Sequence, residues 1–195
     1  MPEPRTTSPV AAIIAAVVLV LLMAAICLVL GSTWFFSMRA PPRAMTSEVK
    51  SNLKYAFTSQ KANEAEHDVF SDTIDPLGFL PERNNRYLYA FSNGCDFLLP
   101  GFPDGGAHCG VLADETRIPP PDNALLKASL TPWLSDIGIH CGEDGGACWT
   151  TIFAAGNLDS DSTVDVWSIS TRERVIAGET VAAGTPFNHV DDLTK

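Results

Sequence analysis

The chain has 195 residues, and 13 Lys+Arg against 23 Asp+Glu give it a formal net charge of −10. So acidic a surface repels nucleic acid, which is excluded as a partner class. Once an apolar N-terminal segment is set aside, about 150 residues remain, enough for one compact domain with its own core.

Residues 1–9 read as a short N-terminal tail and residues 10–36 as a transmembrane anchor. From Val10 to Gly31 there is no charge and no proline. About twenty-two helical residues span roughly 33 Å, close to the hydrocarbon thickness of a bilayer. In lipid such a backbone satisfies its own hydrogen bonds as a helix, so membrane lipid is an expected partner. A cleaved signal peptide is the competing reading. Its apolar region is shorter, however, and ends at a small-residue site, whereas this run continues into Trp34, Phe35 and Phe36, an interfacial aromatic belt. Arg39 and Arg43 follow the run, and counting positive charges alone would leave the C-terminal domain in the cytoplasm. The cysteines point the other way.

Residues 37–45 form a Pro-rich linker, in which Pro41-Pro42 interrupts the helix, and residues 46–195 form the soluble domain. Thr46 or Ser47 can cap a new helix with Glu48 in its first turn. Val49, Leu53, Ala56, Phe57 and Gln60 then fall at helical spacing and predict one core-facing stripe, with the helix ending near His67. A loop follows through Pro76 and Gly78, then a turn at 81–86. Strands are predicted at Tyr87–Phe91, Trp149–Ala155 and Thr163–Ser170, with an edge strand at Arg174–Ile176. A short helix is expected around Leu125–Leu134, and the tail from Gly178 reads as loop. A helix followed by antiparallel strands is an α+β pattern.

Cys95, Cys109, Cys141 and Cys148 form an even set in the soluble domain, which predicts two disulfides with three possible connectivities. The pairs 95–109 and 141–148 are favoured because each closes a turn-rich loop. Disulfides belong in an oxidising compartment, so the domain is expected outside the cytoplasm, in the periplasm or beyond. Zinc is the competing reading, since His108-Cys109 and His140-Cys141 place two ligand types side by side. The intervening thirteen and six residues do not match the usual short knuckles. The fifth cysteine, Cys27, lies inside the anchor.

Between the last two long strands, Asn157, Asp159, Asp161, Thr163 and Asp165 place oxygen side chains in the alternating pattern of an EF-hand-like calcium loop. Ser162 stands where that loop has glycine, and Ser168 where it has a bidentate glutamate. Calcium is therefore one expected ligand, and an ordinary Asp/Ser-rich hairpin turn is the other reading. No nucleophile elbow, Walker loop, dinucleotide fingerprint or zinc-protease helix is present, and the histidines (His67, His108, His140, His189) are scattered. The sequence predicts a non-enzyme.

Two stretches carry a family resemblance. Ser47–Lys61 runs on to Leu77-Gly-Phe-Leu-Pro-Glu-Arg-Asn-Asn-Arg-Tyr-Leu-Tyr89, and Ala154–Ile169 contains the acidic turn. Both are similar to type IV pilins, particularly the longer pilins of predatory and gliding bacteria, and together they cover roughly 60 of the 195 residues. The resemblance implies a long N-terminal helix, a four-stranded antiparallel sheet laid across it and a disulfide-closed C-terminal region. It also implies export, a single-pass stage in the bacterial inner membrane, and pilus or secretion-system components as partners. Assembling pilins carry a short basic leader ending in glycine, and a glutamate at the fifth position of the mature helix. Here no glycine precedes Val10, and no glutamate occurs between Glu3 and Glu48. The sequence therefore predicts a single-pass pilin-like structural or interaction protein, accessory to a type IV pilus or type II secretion system. The alternative is a calcium-dependent binding module tethered outside the cytoplasm.

Overall fold

The computed structural model describes residues 18–23, 26–27, 42–94, 96–100, 106–142, 146–159 and 162–191. Most of the expected anchor lies outside them. Among the described residues no helix is long and apolar enough to cross a membrane. Residues 18–23 are helical with exposed side chains. The chain divides into two compact units, Met1–Pro41 and Pro42–Lys195, and the second carries the fold described below.

Helix α1 spans Pro42–His67. It begins inside the stretch expected to be linker, because proline is compatible with the first turn of a helix, where its missing N–H would have no partner anyway. Val49, Leu53, Ala56 and Gln60 are fully buried, which is the stripe read from the periodicity. The polar end of that stripe anchors the following loop. Gln60 Nε2 donates to the Ser71 carbonyl at 2.6 Å, its Oε1 accepts from Ser71 N at 3.0 Å, and Asn63 Nδ2 donates to the Val69 carbonyl at 2.7 Å. Asp68, at φ 59°, turns the chain out of the helix where the polar turns predict its end.

Among the described residues nine strands follow: β1 Tyr87–Ala90, β2 Phe97–Leu98, β3 Gly110–Val111, β4 Gly138–Cys141, β5 Cys148–Gly156, β6 Asp165–Ser170, β7 Arg174–Ile176, β8 Glu179–Val181 and β9 Phe187–Val190. Helix α2, Asn123–Ser129, and a 3-10 turn, Thr131–Trp133, lie between β3 and β4. Asp122 caps α2, its Oδ1 accepting from the backbone N–H of Ala124 and Leu125 at 3.0 Å each. The main sheet runs β2-β3-β1-β5-β6-β9, and β4 pairs with β5 on the same edge as β1.

Three expectations need correction. The sheet is mixed rather than purely antiparallel, because the short β2 and β3 run parallel. Among the described residues it has seven strands, not four. The tail from Gly178 is not loop: β8 closes a hairpin on β7, and β9 adds to the edge of β6. Nothing local marks these segments as strands; each is three or four residues long, and its pairing is set by the edge it meets.

The central strands are buried on both faces, so alternation sorts their side chains into two cores. Tyr87, Tyr89, Ile152, Ala154, Trp167 and Ile169 meet Val49, Leu53 and Ala56 of α1. Leu88, Ala90, Phe153, Ala155 and Val166 meet Leu126 and Leu130 on the α2 side. Phe79, of the Gly-Phe-Leu-Pro-Glu turn, is wedged among aromatic rings, at 5.7 Å from Tyr55, 5.4 Å from Tyr89 and 4.9 Å from Phe91. Gly78 beside it sits at φ 58° and leaves its carbonyl to accept from the Tyr55 hydroxyl at 3.0 Å.

Candidate functional site

The turn that precedes β1 is fastened to α1. Arg86 N donates to Glu48 Oε1 at 2.7 Å, and the Arg86 guanidinium lies 3.3 Å from Glu48 Oε2. Burial, the largest influence on Glu48, raises its carboxyl pKa, and the Arg86 contacts act against that rise. Since α1 starts earlier than expected, Glu48 is not a first-turn dipole partner; it is the bolt between helix and sheet. Asn85 Nδ2 reaches the Tyr87 carbonyl at 2.7 Å and the Leu112 carbonyl at 3.2 Å, joining the same turn to β3.

The acidic turn between β5 and β6 is divided by strand alternation. Asp165 is the first residue of β6 and is fully buried, on the same face as Trp167 and Ile169. Its Oδ2 accepts from the Tyr87 hydroxyl at 2.6 Å and Trp167 Nε1 at 2.5 Å, and its Oδ1 from Asn188 Nδ2 at 3.2 Å. Burial is the main influence on its carboxyl and raises the pKa, against the lowering effect of those three donors. Burial also pushes the Tyr87 hydroxyl far up, with the Asp165 charge adding to it, so Tyr87 remains a donor at any ordinary pH. Both Asp165 oxygens are thus taken by protein donors. Asn157 and Thr163 are half-buried and Asp159 is exposed, while Asp161 lies outside the described residues. Among the described residues no three His, Cys, Asp or Glu side chains are grouped to hold a metal ion.

Cys141 and Cys148 form a disulfide that closes the β4–β5 hairpin at its last register pair. Cys109 is also disulfide-bonded, and Cys95 lies outside the described residues. These sulfurs are engaged, which leaves the His108-Cys109 and His140-Cys141 pairs no thiolate to offer zinc. His108 is buried; its backbone N–H donates to Asp75 Oδ2 at 3.1 Å. The exposed His67 lies 3.9 Å from Glu66. Sequence reasoning read Asp165 as a cation ligand and missed its inward role. The signal that carries that role is the Asp-Val-Trp spacing, which places Asp165 on Trp167's face of a strand.

A family model described as type IV pilin PilA matches residues 40–98. The type IV major pilin protein PilA of Myxococcus xanthus (strain DK1622) is 31% identical over 178 residues, covering 77% of this chain and 78% of its own. The chain belongs to the type IV pilin family. Type IV pilins are structural proteins rather than enzymes, in keeping with a domain whose buried polar groups serve to fasten its parts. The match at 40–98 contains the Glu48–Arg86 bolt, the Phe79 wedge and β1, which are the parts that lock α1 onto the sheet.

Proposed function

We propose that this pilin is a single-pass, membrane-anchored structural protein, accessory to a type IV pilus or type II secretion system. The observation that carries the reading is a pilin domain whose preceding apolar segment, residues 10–31, contains no glutamate. In assembling pilins that carboxylate helps register an incoming subunit; without it the segment serves as an anchor in lipid. The disulfides support placing the domain on the oxidising side of the inner membrane. Its partners on this reading are membrane lipid and components of the pilus or secretion machinery.

Fractionation tests this. Cells are sheared to remove filaments, and the remainder is separated into membrane and soluble fractions. The chain is expected in the membrane fraction, with its domain digested by protease added to spheroplasts. Recovery with the sheared filaments, or protection of the domain inside spheroplasts, would overturn the reading.

A further inference from the structure

Helix α2 and its 3-10 turn cover only part of the sheet face opposite α1. Beside them the face opens as a cleft of about 560 Å³, bounded by β4, β5, β7, β9 and Trp133. Its floor is a ladder of side chains across three adjacent segments. His140 is the register partner of Trp149, and their rings lie 5.6 Å apart, nearly parallel. The Arg172 guanidinium lies over the same Trp149 ring, its Cζ 3.3 Å from the centroid. The disulfide at the next register pair, Cys141–Cys148, holds this floor in place.

The deeper end is built from Arg174, Ser168 and His189. Arg174 Nη2 donates to Ser168 Oγ at 2.9 Å, and Ser168 Oγ lies 2.7 Å from His189 Nε2. Burial, with repulsion from Arg174 next, lowers the His189 pKa to about 4, so the ring is neutral at pH 7. With Ser168 Oγ accepting from Arg174, its own proton goes to Nε2, and the ring proton sits on Nδ1. His189 therefore supplies no second positive charge. Arg174 Nε is buried without a hydrogen-bond partner.

Asp136 acts attractively on Arg174 without pairing with it. Among the described residues no carboxylate lies within 4.0 Å of Arg172 or Arg174. Two guanidiniums with no carboxylate at salt-bridge distance thus line one concave, aromatic-walled cleft. A guanidinium presents two parallel donors that match a carboxylate. The rings of Trp133 and His189, 5.3 Å apart and tilted by 53°, supply an angled aromatic wall beside it. Asp136 and Glu173 also line the cleft and oppose any ligand of higher negative charge.

We propose that this cleft is a binding site for a small aromatic monocarboxylate, its carboxylate on Arg172 and Arg174 and its ring against the Trp133–His189 wall. The site is separate from the α1–sheet fastening that defines the pilin domain.

The full-length chain in lipid nanodiscs, titrated with 4-fluorobenzoate and followed by 19F NMR, tests the assignment. Empty nanodiscs correct for partition into lipid, and 4-fluorobenzamide serves as the neutral ligand of equal shape. The carboxylate is expected to broaden saturably, and the amide and inorganic phosphate to leave the cleft unoccupied. Arg172→Gln, on an exposed side chain, is expected to keep the thermal melt and weaken binding by about tenfold. Arg174→Lys, which keeps the charge and loses the fork, is expected to weaken it less. Equal binding of the amide, displacement by phosphate, absence of saturation, or unchanged binding by a folded Arg172→Gln would each overturn the proposal.

Discussion

The Tyr87 hydroxyl donates to Asp165 Oδ2 at 2.6 Å across 78 residues of sequence, tying the first residue of β1 to the first residue of β6. Both residues are fully buried. Trp167 Nε1 shares the same oxygen and Asn188 takes the other, so one carboxylate gathers three strands. Removing it leaves two buried donors, on Tyr87 and Trp167, and the half-buried Asn188 amide without an acceptor. Asp165→Ala is therefore expected to cost about 2–4 kcal/mol, and Tyr87→Phe, which leaves the carboxylate two donors, about 1–2 kcal/mol. Urea unfolding checks both, with an unchanged slope showing that only stability moved.

A second prediction concerns Gly110 in β3. A Cβ built there would lie 2.0 Å from the Tyr89 carbonyl oxygen and 2.8 Å from the Phe97 ring. The backbone oxygen cannot move without breaking the β1–β3 pairing of Tyr89 with Val111 and Ala90 with Gly110. Gly110→Ala is expected to displace β2 and β3 from the sheet, seen as faster amide exchange at residues 89–91 and 110–112. Protection equal to that of the unaltered chain would contradict the close approach.

A third follows from His189. Its native pKa, lowered to about 4, lies below the ordinary value of 6.5, so between these pH values the unfolded chain binds the extra proton. Stability supplied by neutral His189 is present at pH 7 and lost as pH falls from about 6.5 toward 4. Arg174 enlarges the effect and Asp136 reduces it. Glu48 and Asp165, whose carboxyls burial raises, act with the opposite sign, because the native state takes up their protons first. Comparison with His189→Gln isolates the histidine: the unaltered chain is expected to lose about 1–2 kcal/mol more between pH 7 and pH 5. Parallel stability curves for the two chains would contradict this.

Calcium provides a fourth. The alternating acidic pattern of residues 157–165 invites a cation, yet the Asp165 carboxylate is fully engaged inside the domain. Millimolar calcium or a chelator is expected to leave the melting temperature within about 1 °C, since binding of the native state alone would raise it. A calcium-dependent rise would restore the cation site on the remaining oxygens.

What was legible in the sequence was whatever a single segment decides. The spacing of Val49, Leu53, Ala56 and Gln60 specifies the buried face of α1, because a helix needs no partner to set its period. The aromatic and β-branched runs at Tyr87, Cys148–Gly156 and Asp165–Ser170 likewise declare themselves as strands. The strands β2, β3, β4, β8 and β9 are two to four residues long, and become strands because a neighbouring strand (β3 for β2, and β1, β5, β7 or β6 for the others) stands beside them. Asp165 shows the same limit. Its acidity suggested a ligand, while its position two residues from Trp167, on the same strand face, placed it in the core. The cleft of Arg172, Arg174 and His189 could not be read at all, since it exists only where β7 stands beside β4, β5 and β9 of the main sheet.

The central claim is that a pilin domain is carried here on a permanent anchor. Sequencing the N-terminus of the mature chain isolated from membranes tests it most directly. The account predicts a start at Met1 or Pro2, with the apolar segment of residues 10–31 intact behind its tail. A mature chain cut at the edge of that segment would show prepilin-type processing and contradict it.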